Sequence, residues 1–317
     1  MSTSPSSVLL AEVVRSDWVE GRHRGSAVVL GADGSVEREW GDPGAPVFPR
    51  SANKPFQAAG VLSAGLRLGG RRLALGAASH SGEPFHLELV ERMLAEYGLA
   101  EEQLGCPPDL PLDAEEAERF LAAGRTRSRI AMNCSGKHTA MLAVCAERGW
   151  PTEGYLAPDH PLQRGIRATL ESAAQEPVAH TGVDGCGAPL LAVSLTGLAR
   201  AFRTLATADA GTPEGRVADA MRAHPEYVAG TRRHDTWLMR ELPGAVSKMG
   251  AEGVQGFALP DGRALAFKVD DGAARALGPV LVSLLRGVGV SGEVLERVER
   301  QPVFGGGGTV GEVRAVV

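Results

Sequence analysis

The sequence predicts a mixed α/β (α+β) fold, a sheet flanked by helices, in which both chain ends supply strands and the middle is helical. Two hairpin patterns and one long helical stretch carry this reading. Near the N-terminus, residues 26–30 and 36–40 flank Gly31-Ala32-Asp33-Gly34, whose Asp-Gly step suits a tight turn. Near the other end, residues 254–259 and 264–269 flank Pro260-Asp261-Gly262 in the same way. Between them, apolar residues recur at helical spacing.

The elements follow in order. Residues 8–14 form an apolar run and residues 310–317 another, both strand candidates. Residues 86–99 carry Leu87, Leu89, Val90, Met93 and Leu94 and then Gly98 as a stop, which predicts a helix. Residues 138–148, 161–174, 190–205 and 217–223 follow the same logic. Residues 273–287 are more uniformly apolar and predict a buried helix. Residues 73–78 read as a buried strand, and residues 182–187 and 305–308 as loops. No repeat or long linker divides residues 1–317, which read as one catalytic unit.

Composition narrows the function classes. The 317 residues include 33 Lys and Arg against 38 Asp and Glu, a formal charge of −5, with 44% hydrophobic residues. That is ordinary globular composition. An acidic balance argues against nucleic acid, whose phosphates require clustered basic side chains. The short basic clusters Arg22-His23-Arg24 and Arg71-Arg72 read as solvated surface. No run of 18 apolar residues exists, so no membrane span is expected. The Ser-rich residues 1–7 lack the basic-then-apolar pattern of a secretion signal, so a cytoplasmic location is the expectation. Four cysteines in so long a chain are buried thiols, metal ligands or nucleophiles rather than a disulfide framework.

Five segments hold residue types that do chemistry. Arg50-Ser51-Ala52-Asn53-Lys54 precedes an amphipathic stretch, residues 56–68. With Ser51 at a helix start, Lys54 lies one turn on and on the same face. A serine hydroxyl becomes nucleophilic when a neutral amine takes its proton. The same pattern also describes a serine cap beside a solvated lysine. Ser79-His80-Ser81-Gly82-Glu83 is either a site loop or the cap of the next helix. Asn133-Cys134-Ser135-Gly136-Lys137-His138 opens a helix and reads as an anion site or as a cysteine nucleophile beside His138. Asp184-Gly185-Cys186 sits among glycines. Cys134 and Cys186 are half of a thiolate metal site or two unpaired buried thiols. Lys248, between apolar residues before a hairpin, is a candidate buried amine or an exposed loop lysine. Cys106 and Cys145 read as packing.

Taken in order, residues 50–55 (RSANKP), 79–83 (SHSGE), 133–138 (NCSGKH), 159–161 (DHP), 184–186 (DGC) and 248–250 (KMG) resemble the bacterial L-asparaginases of the Rhizobium type. The resemblance implies a fold similar to serine β-lactamases and serine-dependent glutaminases. It implies two Ser–Lys pairs, Ser51 with Lys54 and Ser79 with Lys248, and hydrolysis of L-asparagine to aspartate and ammonia through an acyl-enzyme. It implies zinc held by Cys134, Lys137 and Cys186, placed to position substrate or loops. It gives Asp184 an outer-shell or ammonium-binding role and offers Arg50 and His138 for the substrate carboxylate. It also implies a homodimer. Two rivals compete on the same residues: an acyl transferase acting on β-lactams or peptides, and a non-catalytic zinc or ligand-binding module.

Overall fold

The computed structural model describes residues 6–317. Residues 1–5 of the Ser-rich start lie outside the described residues. The strands are β1 (Val8–Arg15), β2 (Trp18–Leu30), β3 (Val36–Trp40), β4 (Pro46–Val47), β5 (His180–Val183), β6 (Pro189–Ser194), β7 (Val246–Gly250), β8 (Val254–Ala258), β9 (Ala264–Val269), β10 (Pro302–Gly305) and β11 (Gly308–Ala315). The helices are α1 (Lys54–Ser63), α2 (Gly70–Gly76), α3 (Pro84–Glu96), α4 (Ala114–Ala122), α5 (Ser135–Arg148), α6 (Pro161–Ala174), α7 (Leu195–Thr207), α8 (Pro213–Ala223), α9 (Pro225–Val228), α10 (His234–Glu241), α11 (Leu277–Gly287) and α12 (Glu293–Glu299).

Eight strands form one antiparallel sheet along the path β10-β11-β1-β2-β9-β8-β7, with β3 also pairing β2. Val13 of β1 lies opposite Val313 of β11, so the two ends of the chain meet in the sheet as expected. Side chains alternate across it. Val28 and Leu30 of β2 join the larger apolar cluster on one face, while Ala27 and Val29 join the smaller one on the other. Both faces are therefore apolar and both need helices. Leu281, Leu284 and Leu285 of α11 cover the face that carries Leu10, Val13 and Phe267. On the opposite face α7 packs on β2, β8 and β9, and α1 packs outward on α6 and α8. A small three-stranded sheet, β4-β6-β5, lies off the main one.

Two expectations need correction. Residues 73–78 are not a strand: Leu73, Ala74 and Leu75 are buried inside helix α2. A short apolar run reads the same way in either state, and packing on α5 and α8 decides it. Residues 190–205 are not one helix. Residues 189–194 form the fully buried strand β6, and Ser194 then caps α7 by accepting from the Gly197 amide.

One contact ties the sheet to the helix that begins at Lys54. A Cβ on Gly256 of β8 would lie 2.2 Å from the Phe202 ring of α7. Phe202 in turn meets Phe56 of α1 edge-on, with ring centroids 5.6 Å apart. Both rings are fully buried. Gly256→Ala must push Phe202 out of place and should cost about 1–3 kcal/mol. A urea melt checks this: the midpoint falls and the slope holds.

Candidate active site

The sequence motifs converge on one side of the main sheet. Residues Arg50–Asn53 form a 3-10 turn that runs straight into α1, so Lys54 is the first residue of the helix and its amide bonds the Ser51 carbonyl. Strand β7 packs against this turn. The approach needs a glycine, because a Cβ on Gly250 would sit 2.3 Å from the Pro49 carbonyl oxygen. Ser79 follows α2, with its amide bonded to the Val228 carbonyl, and the next amide, of His80, bonds the Asn133 carbonyl. Cys134 is the cap residue of α5, with Lys137 and His138 in its first turn. Cys186 lies in the turn between β5 and β6, closed by the Gly187 amide on the Asp184 carbonyl.

Lys54 is the junction. Its amine donates to Ser79 Oγ at 2.7 Å and to Cys134 Sγ at 3.0 Å, and the side chain is 1% exposed. The Lys137 amine donates to Cys186 Sγ at 3.0 Å. Interaction with the Cys186 thiol, together with the charges of Lys54 and Lys137, lowers Cys134 well below the usual thiol range against the cost of burial. The same interaction, with burial, raises Cys186. Burial opposes the Lys137 ammonium, but the two thiols outweigh it and raise its pKa. Lys248, at the centre of β7, is 0% exposed and donates to the Met249 carbonyl at 2.8 Å. Burial first, and then the charges of Lys54 and Arg233, lower its pKa to about 7, while Asp235 and Cys134 pull the other way.

The expected pairings are only partly seen as bonds. Among the described residues Ser51 Oγ makes no side-chain hydrogen bond, and the serine is only half-buried. The amine that the motif pairs with Ser51 bonds Ser79 instead. Lys248 reaches a backbone carbonyl rather than Ser79. Arg50 and Asp184 form an ion pair with Nε–Oδ1 at 2.8 Å, and Asp184 Oδ2 also accepts from the Cys186 thiol at 3.5 Å. Arg50 adopts a left-handed backbone, φ 51°, an uncommon conformation for a side chain of its size. His138 is fully buried. Burial lowers its pKa to about 4, so it is neutral, and Nδ1 faces the Tyr155 hydroxyl at 2.6 Å. A neutral imidazole can offer a carboxylate a hydrogen bond but no charge. Cys106 and Cys145 are buried, as packing requires.

Several residues here were not singled out from sequence. Asn53 is 1% exposed, and neither end of its amide is bonded among the described residues. Asp235, beneath Lys248, is buried and takes three hydrogen bonds. One signal could have found the amines. The chain has 29 arginines and only four lysines, three of which are Lys54, Lys137 and Lys248.

The donor set suits a metal. No cluster of three or more His, Cys, Asp or Glu side chains able to hold an ion exists among the described residues, so a metal at Cys134 and Cys186 would require a donor of another kind, such as the Lys137 amine. Cys134, Lys137 and Cys186 are all buried, with the Lys137 amine bonded to Cys186 and the Lys54 amine bonded to Cys134. His138 Nε2, without a hydrogen-bond partner among the described residues, lies near Cys186 and opposes the rise of its pKa.

No curated protein matches this sequence. Similar solved structures include a putative β-lactamase from Bacteroides dorei, at 16% identity over 83% of this chain and 93% of that chain, with a TM-score of 0.44. A β-lactamase from Mycobacterium bovis shows 16% identity over 84% of this chain and 95% of its own, with a TM-score of 0.47. The native form of Mglu shows 16% identity over 85% of this chain and 66% of its own, with a TM-score of 0.38. None of the described helices is long and apolar enough to cross a membrane. The model of the L-asparaginase II family matches residues 11–315, nearly the whole sequence, and the chain belongs to that family.

Proposed function

We propose that this hydrolase converts L-asparagine to L-aspartate and ammonia through a serine acyl-enzyme, acting as a homodimer in the cytoplasm. The observation that carries the reading is the buried bond between Lys54 Nζ and Ser79 Oγ, a hydroxyl and an amine placed to exchange a proton away from bulk water. Family membership supplies the amide substrate class.

In this reading Ser51, the more open serine, attacks. Its proton passes to Lys54 as Oγ bonds the side-chain amide carbon. The oxyanion rests on backbone N–H groups at the start of α1, including that of Ser51. The C–N bond then breaks, and the proton held by Lys54 leaves with ammonia. Water adds to the ester, giving a proton to the amine, and aspartate departs as Ser51 recovers it. Ser79 and Lys248 relay protons around the leaving group. Arg50 holds the substrate carboxylate and Asp184 its ammonium. The two already pair with each other, so a zwitterion replaces one ion pair with two. The 2.7 Å bond favours a second reading, in which Ser79 itself attacks with Lys54 as its base.

Zinc held by Cys134, Lys137 and Cys186 would anchor α5 to the 184–187 turn and fix the Asp184 carboxylate beside the pocket. Lys137 would bind it as the neutral amine, the form with a free lone pair. His138, with Nε2 unpartnered among the described residues and near Cys186, would stand next to the metal and remain a second hydrogen-bonding group for the substrate carboxylate.

Three outcomes are expected. Ser51→Ala lowers ammonia release from asparagine by about 10³-fold or more, and a slow amide substrate leaves its acyl group on the peptide containing Ser51. A label on the peptide containing Ser79 transfers the nucleophile to that residue. kcat/KM falls tenfold per pH unit below about 7, because Lys248 must be uncharged and protonates on that side of its pKa. Purified protein contains one zinc per chain, and Cys134→Ser and Cys186→Ser each weaken binding by more than the roughly 10–100-fold that losing an outer-shell partner costs. Metal analysis after dialysis reads this directly.

A further inference from the structure

We infer that Asp235 is a positioning residue for Lys248: it fixes the strand on which the lysine rides and supplies the negative charge that offsets the amine's cationic neighbours. Asp235 stands in the first turn of α10 and is wholly buried. Its carboxylate accepts from Ser247 Oγ at 2.6 Å, the Met249 amide at 2.9 Å and Gln255 Nε2 at 3.2 Å. Ser247 and Met249 are the two neighbours of Lys248 on β7. Met249 carries the link, with its N–H on Asp235 and its C=O on the Lys248 amine at 2.8 Å. Gln255 of β8 is itself oriented, because its Oε1 faces His234 Nε2 at 2.9 Å and its Nε2 also donates to Ser247 Oγ and the Gly256 carbonyl.

Tying down a strand requires acceptors, not a charge. A buried carboxylate is costly, and among the described residues no cation bonds it directly, with His234 Nε2 the nearest at 3.6 Å. What the charge adds is a field at Lys248. The groups acting on that amine are Lys54 of α1 and Arg233 before α10 on the positive side, and Asp235 and Cys134 on the negative side. From β8 it meets only uncharged residues. Burial would raise the pKa of Asp235, but His234, Lys248 and the donors of β7 hold it at about 2, so the charge is present throughout the working range. Without it, Arg233, joined by Lys54 whenever that amine holds the Ser51 proton, would face Lys248 against Cys134 alone. The amine would then lose its proton at lower pH.

The inference rests on Lys248 working as an uncharged amine in amide hydrolysis, and the test separates the two. Four lysines give four side-chain signals in protein labelled with 13C at lysine Cε, and Lys248→Arg identifies the one that matters. This titration needs no substrate. Asp235→Asn should lower the Lys248 midpoint by about 1–2 pH units, as removing one nearby charge does in a buried site. The acid limb of kcat/KM should move with it. Ser247→Ala, which loses a hydrogen bond but no charge, should leave the midpoint in place. An unmoved midpoint in Asp235→Asn, or an equal shift in Ser247→Ala, overturns the inference. If Asp235→Asn does not fold, Asp235→Glu decides: the retained charge keeps the midpoint while kcat falls, and a displacement of about one unit overturns it. A wild-type protein that hydrolyses no asparagine refutes the proposed function and leaves this titration to stand or fall on its own.

Discussion

Three lysine amines, Lys54, Lys137 and Lys248, are buried close enough to act on the Cys134 thiol, and each is at most 2% exposed. An ammonium in such a place loses its hydration and repels its neighbours. The interior resolves this by giving each amine a different partner. Lys137 lies against the thiols and stays charged. Lys54 divides its donors between Ser79 and Cys134. Lys248 has only a carbonyl to bond and is driven toward the neutral form. One cluster thereby holds a cation and a latent base side by side, a division that acid–base chemistry near neutral pH requires.

The fold serves that cluster by bringing together segments far apart in sequence. Lys248 is on a strand of the main sheet, Lys54 heads the helix that Phe56 and Phe202 tie to the same sheet, and Cys134 and Lys137 open α5. Small residues set the closeness of approach. Gly250 allows β7 to lie against the turn bearing Ser51, and Gly136 allows the start of α5 to approach Leu75 of α2. Elements held at such distances have little freedom to adjust, since packed interiors yield poorly to added volume.

Reading the sequence located the chemistry better than the elements that carry it. Both hairpins and the helix at residues 161–174 are where periodicity and turn residues put them, because each signal is local. Residues 73–78 and 190–194 were misread for a different reason: a fully buried strand and a fully buried helix present the same unbroken apolar face, and only neighbouring elements distinguish them. Within the site, Ser79, Cys134, Lys137 and Cys186 were legible as motifs, yet the bond from Lys54 to Ser79 rather than to Ser51 was not. Position three along a helix predicts a shared face, but a lysine side chain is long enough to turn from its own helix to the loop after α2. Asp235 was invisible because nothing in the string His234-Asp235-Thr236 distinguishes a buried carboxylate from a surface one.

The choice of basic residue carries the same logic through the whole chain. Of 33 basic residues 29 are arginine, so positive charge is supplied almost everywhere by a group that does not deprotonate in proteins. Arginines accordingly occupy the surface ion pairs, such as Arg15–Glu20 and Arg286–Glu299. Lysine differs in one respect that matters here: its amine can lose a proton, and then can accept one or bind a metal ion. Three of the four lysines are in the cluster where that property is useful. The fourth, Lys268, is half-buried and donates to the backbone carbonyls of Glu252 and Val269, a role without acid–base demands. A guanidinium at position 54, 137 or 248 would keep the charge and lose the chemistry, which is why the scarcity of lysine elsewhere makes its concentration here a statement about function rather than packing.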